Sequence, residues 1–294
     1  MIRFLPTMTR RCRKLVDQGS QVRPAARRGF SLVELLVASG LGLVVMASVA
    51  SLFSIFGRSV TQGQARVEFN GRTRTVTWRL RQDLVGLTCS ARPVVRTDAN
   101  AGYFQVVNGT TPAGDILALT TSNPAMPVAG RLEGTKGFES PTAEVAWFCE
   151  VDAGNVYQGQ QVHNLHRRQL TVAAAPDAGT FAGNVFAPRV TSDLSWAGGQ
   201  ALSLGDLSKA ANRFLTTASP RKLGGDREGE DIVLRGVLGF DVKLIEAAGF
   251  VDRSFDTVEG TAAGGTPLRG IEVRIRCLDP SNNQPREVRV AHAF

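Results

Sequence analysis

A single carboxylate inside a long apolar stretch is the residue best placed to do chemistry. Glu34 is the only charged residue between Phe30 and Phe56, and about 20 apolar residues are enough to cross a bilayer as a helix. A charged side chain inside such a run costs roughly 2.5–3.5 kcal/mol on insertion scales. We therefore expect Glu34 to have a cationic partner; the alternative is an uncleaved signal anchor in which Glu34 snorkels.

Two histidines are the first candidates for a metal site. His163 and His166 are three residues apart, and on a strand such residues point to opposite faces of the sheet. The sequence places no carboxylate cluster beside them, which argues against a metal there. There is also no Gly-x-Ser-x-Gly elbow and no P-loop. The sequence therefore predicts a protein that is not an enzyme.

Two acidic segments are candidates for binding Ca²⁺, because carboxylate and carbonyl oxygens at loop spacing suit that ion. Neither segment has the ligand order of a known calcium loop. We expect solvated turns and no cofactor, with Ca²⁺ as the open alternative. The first segment contains Asp226, Glu228, Glu230 and Asp231, and the second runs from Asp279 to Asn283.

Four cysteines are present, and their spacing fits no zinc pattern. Cys12 belongs to the basic N-terminal segment, which leaves Cys89, Cys149 and Cys277. If the rest of the chain is exported, one disulfide and one free thiol are expected. Cys149 and Cys277 both fall on apolar faces of predicted strands, so they are either a cross-strand pair or two core thiols.

The net charge of +8 is unevenly distributed. Residues 1–29 contain eight Lys or Arg and one acid, and removing them leaves 26 basic and 25 acidic residues. Residues 57–88 contain six Arg and two acids, whereas residues 89–294 contain 20 basic and 22 acidic residues. A general nucleic-acid binder carries its charge on the folded domain. We therefore expect no nucleic-acid partner for residues 89–294.

One long helix is predicted to position Glu34. It runs from Phe30 to about Thr88, with an apolar half at 30–56 and an amphipathic half at 57–88. In the second half, apolar residues at spacings of three and four form a stripe along one helix face. Such a stripe needs a sheet to pack on. Its opposite, Arg-rich face is either solvated or binds lipid headgroups or sibling subunits. The stripe consists of Phe69, Val76, Leu80, Leu84 and Leu87.

After Cys89 the pattern predicts a half-buried antiparallel sheet, because apolar and polar residues alternate. The stretch 174–230 is rich in Gly, Ala, Pro and Ser, and we interpret it as a long loop excursion with one short helix at Leu207–Leu215. The predicted strands are Tyr103–Val107, Ile116–Thr121, Thr142–Asp152, Leu165–Val172, Ile232–Ile245, Ile271–Leu278 and Val288–Phe294.

The start of the apolar run resembles the cleavage and methylation motif of type IV prepilins, with Gly29, then Phe30, then Glu34 as the fifth residue after the glycine. The resemblance implies that a prepilin peptidase removes residues 1–29 as a leader and methylates the new amino terminus at Phe30. It also implies that the Glu34 carboxylate takes the amine of a neighbouring subunit and sets the register of a fibre.

The predicted fold class follows from these elements: α+β, pilin-like, with a long N-terminal helix packed on an antiparallel β-rich head at 89–294. Weaker similarities point to large minor pilins and pseudopilins of the PilW or GspJ type, in the run Trp78–Leu84, in Leu165–Arg168 and in Pro267–Val273. The family implies other pilins and an inner-membrane assembly platform as partners. It also implies a single-pass protein with a periplasmic head, in a type IV pilus or type II secretion pseudopilus.

A second class of protein fits part of the same segment. Arg27-Arg28-Gly29-Phe30 also resembles a twin-arginine export signal, and Ser48-Val49-Ala50 is a candidate cleavage site. Glu34 and the length of the apolar run oppose this interpretation, because export signals usually have 7–15 apolar residues. The mature amino terminus separates the alternatives: Phe30 for a prepilin, Ser51 for a cleaved export signal.

Overall fold

The computed structural model describes residues 29–89, 101–125, 127–130, 138–172, 196–197, 200–214, 223–224, 230–257 and 268–294. Contacts divide the chain into two units, Met1–Gly57 and Arg58–Phe294. Residues 1–28 of the predicted leader, Cys12 and most of the predicted excursion at 174–230 lie outside the described residues.

The predicted N-terminal helix is present as one element, α1, from Leu32 to Val85. It begins two residues after the predicted start and continues without a break through Gly57, Gly63 and Gly71, although each glycine costs a helix about 1 kcal/mol relative to alanine. Packing of the helix on a sheet, which begins at Phe69, offsets part of that cost. The buried apolar residues of the helix are Phe69, Val76, Leu80 and Leu84, and the predicted stripe is therefore confirmed for these four. Leu87 lies beyond the end of the helix, which is three residues before the predicted end, and is bridged to Thr121.

The second unit is built on nine antiparallel strands in one sheet, and two small two-stranded sheets are also described. Every strand predicted from alternation is present, with ends shifted by a few residues. The strands are β1 (Phe104–Val107), β2 (Ile116–Ser122), β3 (Val128–Gly130), β4 (Phe138–Ser140), β5 (Thr142–Tyr157), β6 (Gln160–Thr171), β7 (Trp196–Ala197), β8 (Gln200–Ala201), β9 (Glu230–Glu246), β10 (Gly249–Val251), β11 (Phe255–Asp256), β12 (Gly270–Asp279) and β13 (Gln284–Ala293).

The large sheet has the order β11-β1-β2-β5-β6-β9-β12-β13, with β10 paired to β9. Strands β5 and β6 form an antiparallel hairpin closed by Gln158 and Gly159, both at positive φ. The small sheets are β3–β4 and β7–β8. Strand β9 therefore brings a late part of the chain to the middle of the sheet, beside β6.

One face of the sheet, the helix face, packs against the second half of α1. Its core combines the buried helix residues with inward side chains from β1, β2, β5, β6, β9, β12 and β13. Trp147 in β5 and Phe240 in β9 are fully buried there. This is the arrangement that the amphipathic stripe and the alternating strands predict together.

A half-buried sheet leaves one face to solvent, but the opposite, back face of β2, β5 and β6 is covered. Tyr103, Ala146 and Phe148 are buried in a second core. A short helix, α2 (Leu204–Leu207), supplies Leu204 and Leu207 to that core, and Phe214, which follows a 3₁₀ turn at Ala210–Asn212, also packs there. In place of the predicted helix at Leu207–Leu215, the structure has α2, which ends at Leu207, and the short 3₁₀ turn. Part of the predicted excursion is therefore a packed cover.

Candidate functional site

The predicted cleavage junction lies just outside helix α1. Gly29, Phe30 and Ser31 are not helical, and the first helical hydrogen bond joins Leu35 N to Ser31 O at 3.1 Å. Phe30 is 78% exposed. A peptide bond outside the helix has no helical hydrogen bonds to break before a protease can bind it in extended form. The junction between Gly29 and Phe30 is therefore accessible in this conformation.

Glu34 lies in the first turn of α1 and is exposed in the isolated chain. Ser31 occupies the N-cap position, because its carbonyl accepts the first helical bond. Ser31 and Glu34 have the spacing of a capping box, in which the third helical residue is Glu or Gln. A carboxylate in the first turn also interacts favourably with the helix dipole. The Ser-x-x-Glu pattern thus gives Glu34 a favourable place at the start of the helix, in addition to any role between subunits.

The apolar half of α1 exposes its side chains all around the helix. One helix among the described residues is long and apolar enough to cross a membrane, and it is this one. The Ser39 and Ser48 hydroxyls donate to the carbonyls of Leu36 and Val44 at 2.9 and 2.8 Å. Because these bonds stay within the helix, the serines need no partner from lipid or from another chain.

The last turns of α1 are fixed to the sheet by a buried carboxylate. Asp83 accepts hydrogen bonds from Arg167 Nε and Nη2 at 2.9 and 2.7 Å and from Trp147 Nε1 at 2.8 Å. The guanidinium also lies over the Trp147 ring, 5.8 Å from its centroid. Such two-pronged, charge-assisted contacts fix orientation as well as distance. They set the rotation of the helix against β5 and β6.

The sequence pointed to the two segments that meet here, but not to their contact. Asp83 belongs to the run Trp78–Leu84 and Arg167 to Leu165–Arg168, and both runs resemble the same group of pilin-like proteins. The two residues are 84 positions apart, and no local pattern connects them. The available signal was a charged residue in each apolar segment: Asp83 beside Leu84 of the helix stripe, and Arg167 within a predicted strand.

Of the two alternatives for Cys149 and Cys277, the structure agrees with two separate core thiols, because no disulfide joins them. In the sheet order, β6 and β9 lie between β5 and β12. At about 4.8 Å per strand this separates the two backbones by roughly 14 Å, whereas bonded cysteines have Cα atoms about 4.4–6.8 Å apart. Burial raises the pKa of Cys277 to about 12 and also raises that of Cys149.

The second acidic segment forms a compact turn. Asp279 Oδ1 accepts hydrogen bonds from Ser281 N and Oγ at 2.9 and 2.6 Å, and Arg286 Nη2 lies 2.9 Å from Oδ2. These contacts occupy the carboxylate that a Ca²⁺ ion would need. Of the first segment, Glu230 and Asp231 lie in strand β9, while Asp226 and Glu228 lie outside the described residues.

His163 and His166 point to opposite faces of β6, as predicted: His163 is opposite Val151 and His166 opposite Phe148 in the pairing with β5. The expectation that no carboxylates lie near them is wrong. Glu150 from β5 and Glu230 from β9 both approach His166. The sequence could not reveal this group, because it depends on the pairing of β6 with β9.

A comparison with protein families identifies the prokaryotic N-terminal methylation motif at residues 24–50. The match includes Gly29, Phe30 and Glu34. No curated protein and no solved structure gave a significant match to the chain. The chain therefore carries the type IV prepilin signature, together with a pilin-like α+β architecture in which a long N-terminal helix is followed by an antiparallel sheet.

Proposed function

We propose that the protein is a minor pilin or pseudopilin, a structural subunit of a type IV pilus or a type II secretion pseudopilus. The observation that carries the proposal is the methylation motif at the start of α1. It is supported by a helix that has one half exposed and apolar and the other half packed on a sheet. Pilin-like proteins are structural subunits, so the proposed role requires no catalytic site.

In this proposal a prepilin peptidase cuts after Gly29 and methylates Phe30. Eight basic residues precede the cut and favour a cytoplasmic leader. The chain is then a single-pass protein of the inner membrane with its sheet in the periplasm. Lipid surrounds the apolar half of α1 before assembly. An assembly platform in that membrane then transfers it to a fibre of other major and minor pilins or pseudopilins.

Assembly replaces lipid contacts of the apolar half with contacts between helices. Small residues favour such packing, because they let two backbones approach closely. A Cβ added at Gly40 or Gly42 would meet nothing within 4 Å in the chain itself. Neither glycine is thus required by packing within one subunit, which supports a role between subunits.

Glu34 is the proposed determinant of axial register. Its carboxylate pairs with the amine of Phe30 on an adjacent subunit, and in hydrocarbon this attraction is far stronger than in water, although desolvation consumes much of the gain. We place the subunit at or near the fibre tip, in line with the large minor pilins and pseudopilins that it resembles.

The mature amino terminus tests the proposal. We expect mass spectrometry of protein purified from membranes to find N-methylated Phe30. A terminus at Ser51, or an uncleaved chain, would contradict it. Gly29→Leu should accumulate as an unprocessed precursor, because the peptidase subsite for the glycine is tight. Gly40→Leu is the matched control: it introduces the same side chain into open space and should be processed normally.

A further inference from the structure

A histidine and two glutamates from three neighbouring strands meet beside the second core, on the back face of the sheet. His166 Nδ1 lies 3.2 Å from Glu230 Oε1, and His166 Nε2 lies 3.5 Å from Glu150 Oε2. One candidate ligand atom from each residue lies within 4.8 Å of the other two. The side chains of His166 and Glu230 are 3% and 1% exposed, and that of Glu150 is 36% exposed.

The 3.2 Å contact has the length of a hydrogen bond but not its geometry. Among the described residues, His166 Nδ1 and Glu230 Oε1 have no hydrogen-bond partner, so a proton on Nδ1 would not point at that oxygen. Two ligands that bind one tetrahedral ion at 2.0–2.1 Å are about 3.3–3.4 Å apart and do not point at each other. The contact therefore has the separation expected of two ligands of a common ion.

The surroundings hold the ligands in place. The Phe148 ring stacks on the imidazole, with ring centroids 5.3 Å apart and planes at 23°. Gly224 N donates to Glu230 Oε2 at 3.2 Å, which fixes the carboxylate. Gly224 has a φ of +86°, and a Cβ there would collide with Glu150 Oε1. Contacts of this kind orient the ligands of metal sites and tune their affinity.

We propose that Glu150, His166 and Glu230 bind one divalent transition-metal ion, with Zn²⁺ as the representative ion. The ion would bind His166 Nδ1 and Glu230 Oε1, and the partly exposed Glu150 side chain would turn from the Nε2 side of the ring to supply one oxygen. Water would complete the tetrahedron on the exposed side of Glu150. Two carboxylates balance the two charges of the ion. Imidazole with carboxylate suits zinc, whereas Ca²⁺ requires six to eight oxygens. The bound ion ties β5, β6 and β9 together.

The test uses the full chain, purified in detergent with an affinity tag that contains no histidine. After treatment with EDTA and its removal, Zn²⁺ is titrated against a chromogenic competitor. We expect one Zn²⁺ per chain, and His166→Gln and Glu230→Gln should each lower the affinity at least tenfold. His163→Gln is the matched control, because its ring lies on the opposite face of the same strand. Affinity equal to wild type in both ligand variants would overturn the proposal.

A second measurement requires no variant and so remains decisive if the variants fail to fold. At a hundredfold excess of Zn²⁺ over Kd, the unfolding midpoint of the wild-type chain should rise by roughly 5–10 °C. EDTA should reverse the rise, and the same concentration of Ca²⁺ should not reproduce it. A midpoint that Zn²⁺ leaves unchanged would contradict a site built into the fold.

Discussion

The carboxylate of Asp83 in helix α1 accepts hydrogen bonds from both Nε and Nη2 of Arg167 in strand β6, at 2.9 and 2.7 Å. The pair is largely buried. Trp147 adds a third donor from β5. Burying two charges costs several kcal/mol of desolvation for each ion, and only good geometry with further hydrogen bonds offsets that cost. The contact therefore specifies where the helix lies on the sheet as much as it stabilises the fold.

Asp83→Asn should destabilise the second unit strongly. The substitution leaves the Arg167 guanidinium buried without its counter-ion, which typically costs about 3–5 kcal/mol. For a domain of this size that corresponds to a midpoint lower by roughly 10 °C, measurable by thermal circular dichroism. Glu68→Gln is the control, because it breaks an exposed pair with Arg72, and exposed pairs contribute about 0–1 kcal/mol. Equal shifts of the unfolding midpoint in the two variants would show that the buried pair contributes no more to stability than the exposed pair.

Glu34→Ala tests the assembly mechanism. If Glu34 neutralises the Phe30 amine of a neighbour, its loss leaves a cation in hydrocarbon at a cost of about 3–5 kcal/mol, or about two to three decades in affinity. We expect a processed, membrane-resident variant that no longer co-purifies with partner pilins. Ser48→Ala is the control, since that hydroxyl bonds within its own helix. Co-purification at the wild-type level would show that Glu34 does not set the register.

The cysteines of the folded chain should resist alkylation. Burial raises the pKa of Cys277 to about 12, so at pH 8 only about one molecule in 10⁴ carries the reactive thiolate. Each unit of added pH raises that fraction about tenfold, and the thiol stays mostly protonated up to pH 11. We expect mass spectrometry to find Cys149 and Cys277 unlabelled by iodoacetamide until guanidinium is added. A mass lower by two hydrogens would instead reveal a disulfide.

Arg213 fixes the segment that covers the back face of the sheet. Its guanidinium is buried, pairs with Asp256 at 2.5 Å, donates to the Leu207 and Ser208 carbonyls, and lies over the Tyr103 ring. Arg213→Lys keeps the charge but removes the planar fork. We expect faster limited proteolysis near residues 204–214 and stronger binding of a hydrophobic dye. Lys209→Arg, at an exposed position of the same segment, is the control. Unchanged proteolysis in Arg213→Lys would contradict the claim that Arg213 holds this segment on the sheet.

The second unit should fold without the first. Contacts separate the chain after Gly57, and the helix residues that complete the core begin at Phe69. A protein that starts at Arg58 should therefore be soluble and monomeric, with a circular dichroism spectrum dominated by strands. A mainly helical spectrum would contradict it.

Local periodicity revealed the elements of this fold, but not their partners. Alternation in β5 and β12 and the stripe from Phe69 are visible because each repeats with the period of its own backbone. The contact of Asp83 with Arg167 and the group around His166 depend on which distant strands pair. The helix and turn in Leu204–Asn212 are too short to show a periodic apolar pattern, so the sequence did not reveal that this segment packs on the back face of the sheet. The motif at Gly29 could be recognised because all of its residues lie within six consecutive positions, 29–34.

The pairing of β1 with β11 has a consequence for how the chain reaches its native state. Val106 is opposite Phe255, about half the chain length later. Loop closure over such a distance slows folding, and strand edges that wait for distant partners are open to aggregation. The outer edge of β1 stays unpaired until Phe255 and Asp256 are available, late in the synthesis of the chain. In the cell, a chaperone that shields this edge should therefore matter more to the yield of the protein than its final stability.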